Sequence, residues 1–73
     1  MQYEYFINLD ERGEFFADVR DDSENTIFEI QGLDIYCLLE DGFMSNSRDI
    51  DGLTEYLVFL EVITPSDSIT LAN

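Results

Sequence analysis

The segment Ser47-Arg48-Asp49-Ile50-Asp51-Gly52 sets oxygen donors at alternate positions ahead of a glycine, the pattern that opens a calcium-binding loop. In that frame Ser47, Asp49 and Asp51 are the first, third and fifth residues, and Gly52 is the sixth. The twelfth should be a bidentate glutamate, and it is Val58. An apolar helical pattern also runs through the segment, so a capped helix start explains it better than a cation site. No metal site is expected.

Other chemistry is equally short of parts. The chain has no histidine and no lysine, so general acid–base work would fall to carboxylates, tyrosines or Cys37. The adjacent carboxylates Asp10/Glu11, Asp21/Asp22 and Glu40/Asp41 all fall in expected turns. Solvent screens them there, whereas catalytic pairs need surroundings that drive their pKa values apart. Cys37 lies in an apolar run with no basic neighbour and reads as a small buried hydrophobe. The four glycines are isolated, so nothing cradles phosphate. The expectation is a protein with no catalytic residue and no cofactor.

Charge dominates what remains. Seventeen acidic residues against three arginines give a formal net charge of −14 over 73 residues. Such a surface attracts basic partners and repels nucleic acid, anionic membranes and copies of itself. Direct nucleic-acid binding is excluded, because only Arg12, Arg20 and Arg48 are available to neutralise phosphates. Disorder is not implied: 45% of residues are hydrophobic and 14% aromatic, enough to build a core. A single domain over residues 1–73 is expected. At this size it is marginally stable, so a partner or a second copy would help it. A lone cysteine, no basic leader segment and no apolar run near ~18 residues point to a soluble cytoplasmic protein away from membranes.

The elements follow from periodicity. Tyr3, Tyr5, Ile7 and Leu9 alternate with Glu4, Phe6 and Asn8, as in a strand with one buried face. Asp10-Glu11-Arg12-Gly13 reads as a type I turn closed by a left-handed glycine. The hairpin then pairs Asp10 with Glu14, Leu9 with Phe15, Ile7 with Ala17, Tyr5 with Val19 and Glu4 with Arg20. Thr26–Gln31 forms a third strand with Phe28 and Ile30 inward, and Gly32 ends it. Leu33–Glu40 is ambiguous by period and is read as an extended segment. Asp49 caps a helix whose stripe is Ile50, Leu53, Leu57 and Leu60, widened by Tyr56, Phe59 and Ile63 and stopped by Pro65. Ile69–Leu71 adds a possible edge strand. The expected class is α+β: a small antiparallel sheet of three to four strands (β-β-β-(β)-α) with one helix across one face.

The outer sheet face carries the functional expectation. Phe6, Phe16 and Ile27 alternate there with Glu4, Glu14, Asp18 and Glu29, while Asp21, Asp22 and Glu24 crowd the turn at one end. Aromatic side chains rimmed by charge mark contact surfaces, unless residues 33–48 fold over them as a second core. The partner-contact set is therefore Glu4, Phe6, Glu14, Phe16, Asp18, Asp21, Asp22, Glu24 and Glu29. In size and charge the chain resembles DNA-mimic inhibitors, whose carboxylates stand in for phosphates in a basic groove. No family motif matches residue by residue. The leading expectation is a non-enzymatic acidic protein that docks on a basic protein surface. One alternative is a small accessory subunit, or a homodimer, that uses the phenylalanine patch, with acidity serving solubility. Adaptation to a high-salt cytoplasm is the other; such a chain should unfold at low salt.

Overall fold

The hairpin forms because alternation and turn chemistry demand the same pairing. In the computed structural model, which describes residues 1–9 and 11–72, β1 (Gln2–Leu9) runs antiparallel to β2 (Phe15–Arg20). Their register sets Leu9 against Phe15, Ile7 against Ala17, Tyr5 against Val19 and Glu4 against Arg20, as the sequence predicts. Gly13 has φ of +78°, the left-handed position the turn needs. The expected Asp10–Glu14 pair involves Asp10, which lies outside the described residues.

Beyond β2, strand β3 (Thr26–Gln31) pairs antiparallel, with a bulge. Phe28 is opposite Val19 and Thr26 is opposite Arg20, so Ile27 is the extra residue. Ile27 packs against the core and does not join the outer face as its alternation predicts.

Residues 32–40 correct the sequence reading. Leu33–Glu40 is not extended but part of helix α1 (Gly32–Glu40). At its start, Asp34 Oδ2 accepts the backbone N–H of Gln31 at 3.2 Å, satisfying a donor that a helix leaves unpaired. Ile35 and Leu38 then fall one turn apart and are buried. At its end, Phe43 N donates to Leu38 O at 3.0 Å and Gly42 N to Leu39 O at 3.3 Å. With Gly42 at φ +81°, this is a Schellman closure.

Helix α2 (Ile50–Phe59) begins at Asp49 as expected but ends well before Pro65. The same closure recurs: Val62 N donates to Leu57 O at 2.9 Å and Glu61 N to Val58 O at 3.0 Å. Here a glutamate, Glu61, holds the left-handed position at φ +62°. Ending early also splits the expected stripe. Leu53 and Leu57 are fully buried and Ile63 is nearly so, whereas Leu60 and Phe59 face solvent.

β4 (Ser68–Leu71) joins the far edge, giving the order β3-β2-β1-β4. It lies parallel to β1, with Tyr3 opposite Ile69 and Tyr5 opposite Leu71, so the sheet is mixed. Both helices pack on one face. Their residues Ile35, Leu38, Leu53 and Leu57 share a core with Tyr5, Val19, Ile30 and Ile69. Met44, in the loop between the helices, is buried in that core too. The result is the expected α+β class, with two helices in place of one.

Candidate binding face

Residues 33–48 do not cover the outer sheet face. They pack on the core side, and among the described residues no element lies over the side formed by Glu4, Phe6, Phe16, Asp18, Arg20 and Glu29. Period-2 alternation placed Glu4, Phe6, Phe16, Asp18 and Glu29 together, and the register brings them together.

Arg20 organises the face. Its Nε donates to Asp18 Oδ2 at 2.6 Å, and its guanidinium carbon lies 4.2 Å from the centroid of the Phe6 ring. Strand partnership with Glu4 is real, yet the guanidinium turns to Asp18, which projects from the same side of β2. Thr26 Oγ1 also donates to Asp18 Oδ2, at 3.1 Å. Enclosed by these groups, Asp18 is only 8% exposed although no helix among the described residues covers it.

Directly across β2 and β3, Glu29 faces Asp18. Glu29 is exposed, and its side chain makes no hydrogen bond or ion pair with the described residues. Phe16 is 38% exposed and has Gln31 as its strand partner. Phe16, Asp18, Arg20, Thr26, Glu29 and Gln31 border a shallow depression of about 300 Å³. Glu14, at the hairpin end, borders a second depression, of about 620 Å³, with Phe16 and Tyr36.

The acidic turn is less uniform than its composition suggests. Asp21 Oδ1 accepts the N–H groups of Ser23 and Asn25, each at 2.9 Å. The Asn25 bond above all holds the Asp21 carboxyl below its ordinary value. Asp21 thus holds its own turn, while Asp22 and Glu24 are exposed. Sequence reasoning put Arg20 on this face opposite Glu4 but missed its turn to Asp18, and it missed Thr26 and Gln31 as parts of the face. The Asp18/Arg20 spacing of two was a usable signal for the first, but the bulge hid Thr26.

The calcium-like segment proves to be a helix cap. Asp49 Oδ1 accepts from Gly52 N at 3.0 Å, and Oδ2 accepts from Ser45 N at 2.9 Å and Ser45 Oγ at 3.1 Å. These bonds hold the Asp49 carboxyl below its ordinary value. Gly52 is required for another reason: a Cβ there would collide with the Phe43 carbonyl oxygen. Among the described residues no group of three or more His, Cys, Asp or Glu is placed to hold a metal ion. Cys37 corrects a further expectation, since it is exposed on α1 and not buried.

Elsewhere, Phe43 packs edge-on to Tyr56 with centroids 5.0 Å apart and lies 6.1 Å from Phe59. Phe59 itself is 72% exposed. No helix among the described residues is long and apolar enough to cross a membrane. Compared with family models, curated proteins and solved structures, the chain matches none.

Proposed function

We propose that this protein is a non-enzymatic, cytoplasmic binding protein whose open sheet face docks on a basic surface of another protein. The observation that carries this is the bare face itself. Phe6 and Phe16 supply apolar contact, and Glu29 stands exposed opposite Asp18, whose charge Arg20 already answers. Exposed acids on the helical side, among them Asp34, Glu40, Asp51 and Glu55, extend the attractive field around the whole molecule.

In its sharpest form the reading is mimicry of nucleic acid. Same-face residues along a strand repeat every ~6.6–7 Å. That is about twice the ~3.4 Å axial step of phosphates along one DNA strand. Carboxylates on the face and its turns can therefore meet cationic groups spaced for a phosphate backbone.

Affinity capture with the full chain, eluted on a salt gradient, tests the reading. Bound proteins should be basic, should elute between low and physiological ionic strength, and should be displaced by duplex DNA. A Glu4→Lys/Glu29→Lys variant should lose them. Capture that ignores salt sinks the charge-based reading, and failure of DNA to compete removes mimicry from it.

A second reading, a self-associating or accessory subunit, is favoured by Phe59 and Leu60 at the end of α2, which are 72% and 41% exposed. Sedimentation of Phe59→Glu and Phe16→Glu variants separates the two surfaces. A dimer lost only in Phe59→Glu assigns self-association to the helix end.

A further inference from the structure

The open face already holds one guanidinium against a ring and a carboxylate. Arg20 places a guanidinium over the Phe6 ring and hydrogen-bonds Asp18. Phe6 and Asp18 are direct partners across β1 and β2. One step along, Phe16 and Glu29 repeat this combination of ring and carboxylate as diagonal neighbours across β2 and β3. Both border the depression of about 300 Å³.

Two facts favour a cation at this second pair. Like charges directly opposite in a sheet are unfavourable, and Asp18 and Glu29 are so placed. Arg20 answers Asp18 alone, leaving Glu29 without a partner among the described residues. Phe16, its diagonal neighbour, is partly exposed and borders the same depression, and aromatic rings attract positive groups.

We infer that the depression takes an arginine side chain of the basic partner, with the guanidinium against Phe16 and its N–H groups on Glu29. This rests on the basic-partner reading and narrows it from charge to residue type. A guanidinium is planar, stacks on rings and presents a fork of donors. The lysine ammonium is a compact, more strongly hydrated point charge. A patch that worked by charge alone would not distinguish them.

The test titrates the full chain with two eight-residue peptides, all-arginine and all-lysine, at low and physiological salt. The arginine peptide should bind about two- to fivefold tighter, with NMR shifts centred on Phe16, Glu29 and Gln31. That preference should vanish in Phe16→Leu and persist in Phe59→Leu, whose ring lies at the end of α2. If Phe16→Leu fails to fold, Glu29→Gln replaces it, since that side chain is exposed and bonds to none of the described residues. Equal binding of the two peptides, or a preference surviving both variants, overturns the arginine site; salt-sensitive binding in that case leaves the basic-partner reading standing. Absence of binding by either peptide at low salt overturns both.

Discussion

Asp18 and Arg20 project from the same side of β2 and meet at 2.6 Å, Oδ2 to Nε, while Glu29 faces Asp18 from β3. A carboxylate that is 8% exposed thus depends on one guanidinium and the Thr26 hydroxyl. Arg20→Gln should cost about 1 kcal/mol, the guanidinium's partial exposure keeping the figure low. Adding Glu29→Gln should recover part of that loss by removing the like charge opposite. Urea unfolding of the wild type, both single variants and the double variant measures the coupling. If Glu29→Gln stabilises neither the wild type nor the Arg20→Gln variant, the carboxylates do not repel each other.

Gly52→Ala should be the most damaging single methyl addition. A Cβ there meets the Phe43 carbonyl oxygen and stands 2.8 Å from Asp49 Oδ2 and 3.1 Å from Met44 Cα. Backbone atoms cannot move aside as a side chain does, so a loss of about 3 kcal/mol is expected. Helix propensity alone would give the opposite sign, a gain of about 1 kcal/mol. A thermal melt by circular dichroism decides between them.

Legibility in the sequence followed the number of independent constraints on each segment. For the hairpin, alternation and Gly13 both fixed one register, and Tyr5–Val19 and Ile7–Ala17 pair accordingly. The aromatic and acidic residues of the open face inherited that register. Residues 33–40 offered an apolar run with no clear period. Their helical state rests on details at the ends: Asp34 reaching back to Gln31 and Gly42 closing the last turn. In β3, one bulged residue shifted the parity, so Ile27 turned to the core and Thr26 came beside Asp18. Pro65 was the visible stop for α2, but the chain left the helix five residues earlier, at Leu60, through a left-handed glutamate.

That glutamate yields a third prediction. Gly42 and Glu61 occupy the same site of the same closure, at φ +81° and +62°. A left-handed L-residue costs roughly 1–2 kcal/mol, partly offset by the freedom glycine adds to the unfolded chain. Glu61→Gly should therefore stabilise by about 0.5 kcal/mol, and Gly42→Ala should destabilise by about 1 kcal/mol. Glu61→Gln is the control: it removes a negative charge from a helix C-terminus while leaving the backbone strain. If Gln stabilises as much as Gly, charge and not conformation is responsible.

Both ends of the pH scale should expose particular groups. Asp21 and Asp49 lie below their ordinary value of 3.8 because backbone N–H groups of Asn25 and Ser45, respectively, bind the carboxylates. The unfolded chain takes up those protons more readily, so their stabilisation is present above about pH 3.8 and is lost as pH falls through the lower folded values. Tyr5 works in the opposite direction. Burial pushes its phenol from 10.0 to about 12, with Arg48 pulling weakly the other way, and its hydroxyl donates to Ser47 O at 2.9 Å. Its contribution is complete below pH 10 and is lost as pH rises through about 12. Tyr5→Phe should cost about 1 kcal/mol at neutral pH for the lost hydrogen bond. It should also flatten the decline in stability above pH 10, leaving the smaller slope due to Tyr3, which is raised by desolvation and by Asp67, Asp21 and Asp22. Urea midpoints measured across pH 8–12 for both proteins are the check, and an unchanged alkaline slope in Tyr5→Phe rules out Tyr5 as its source.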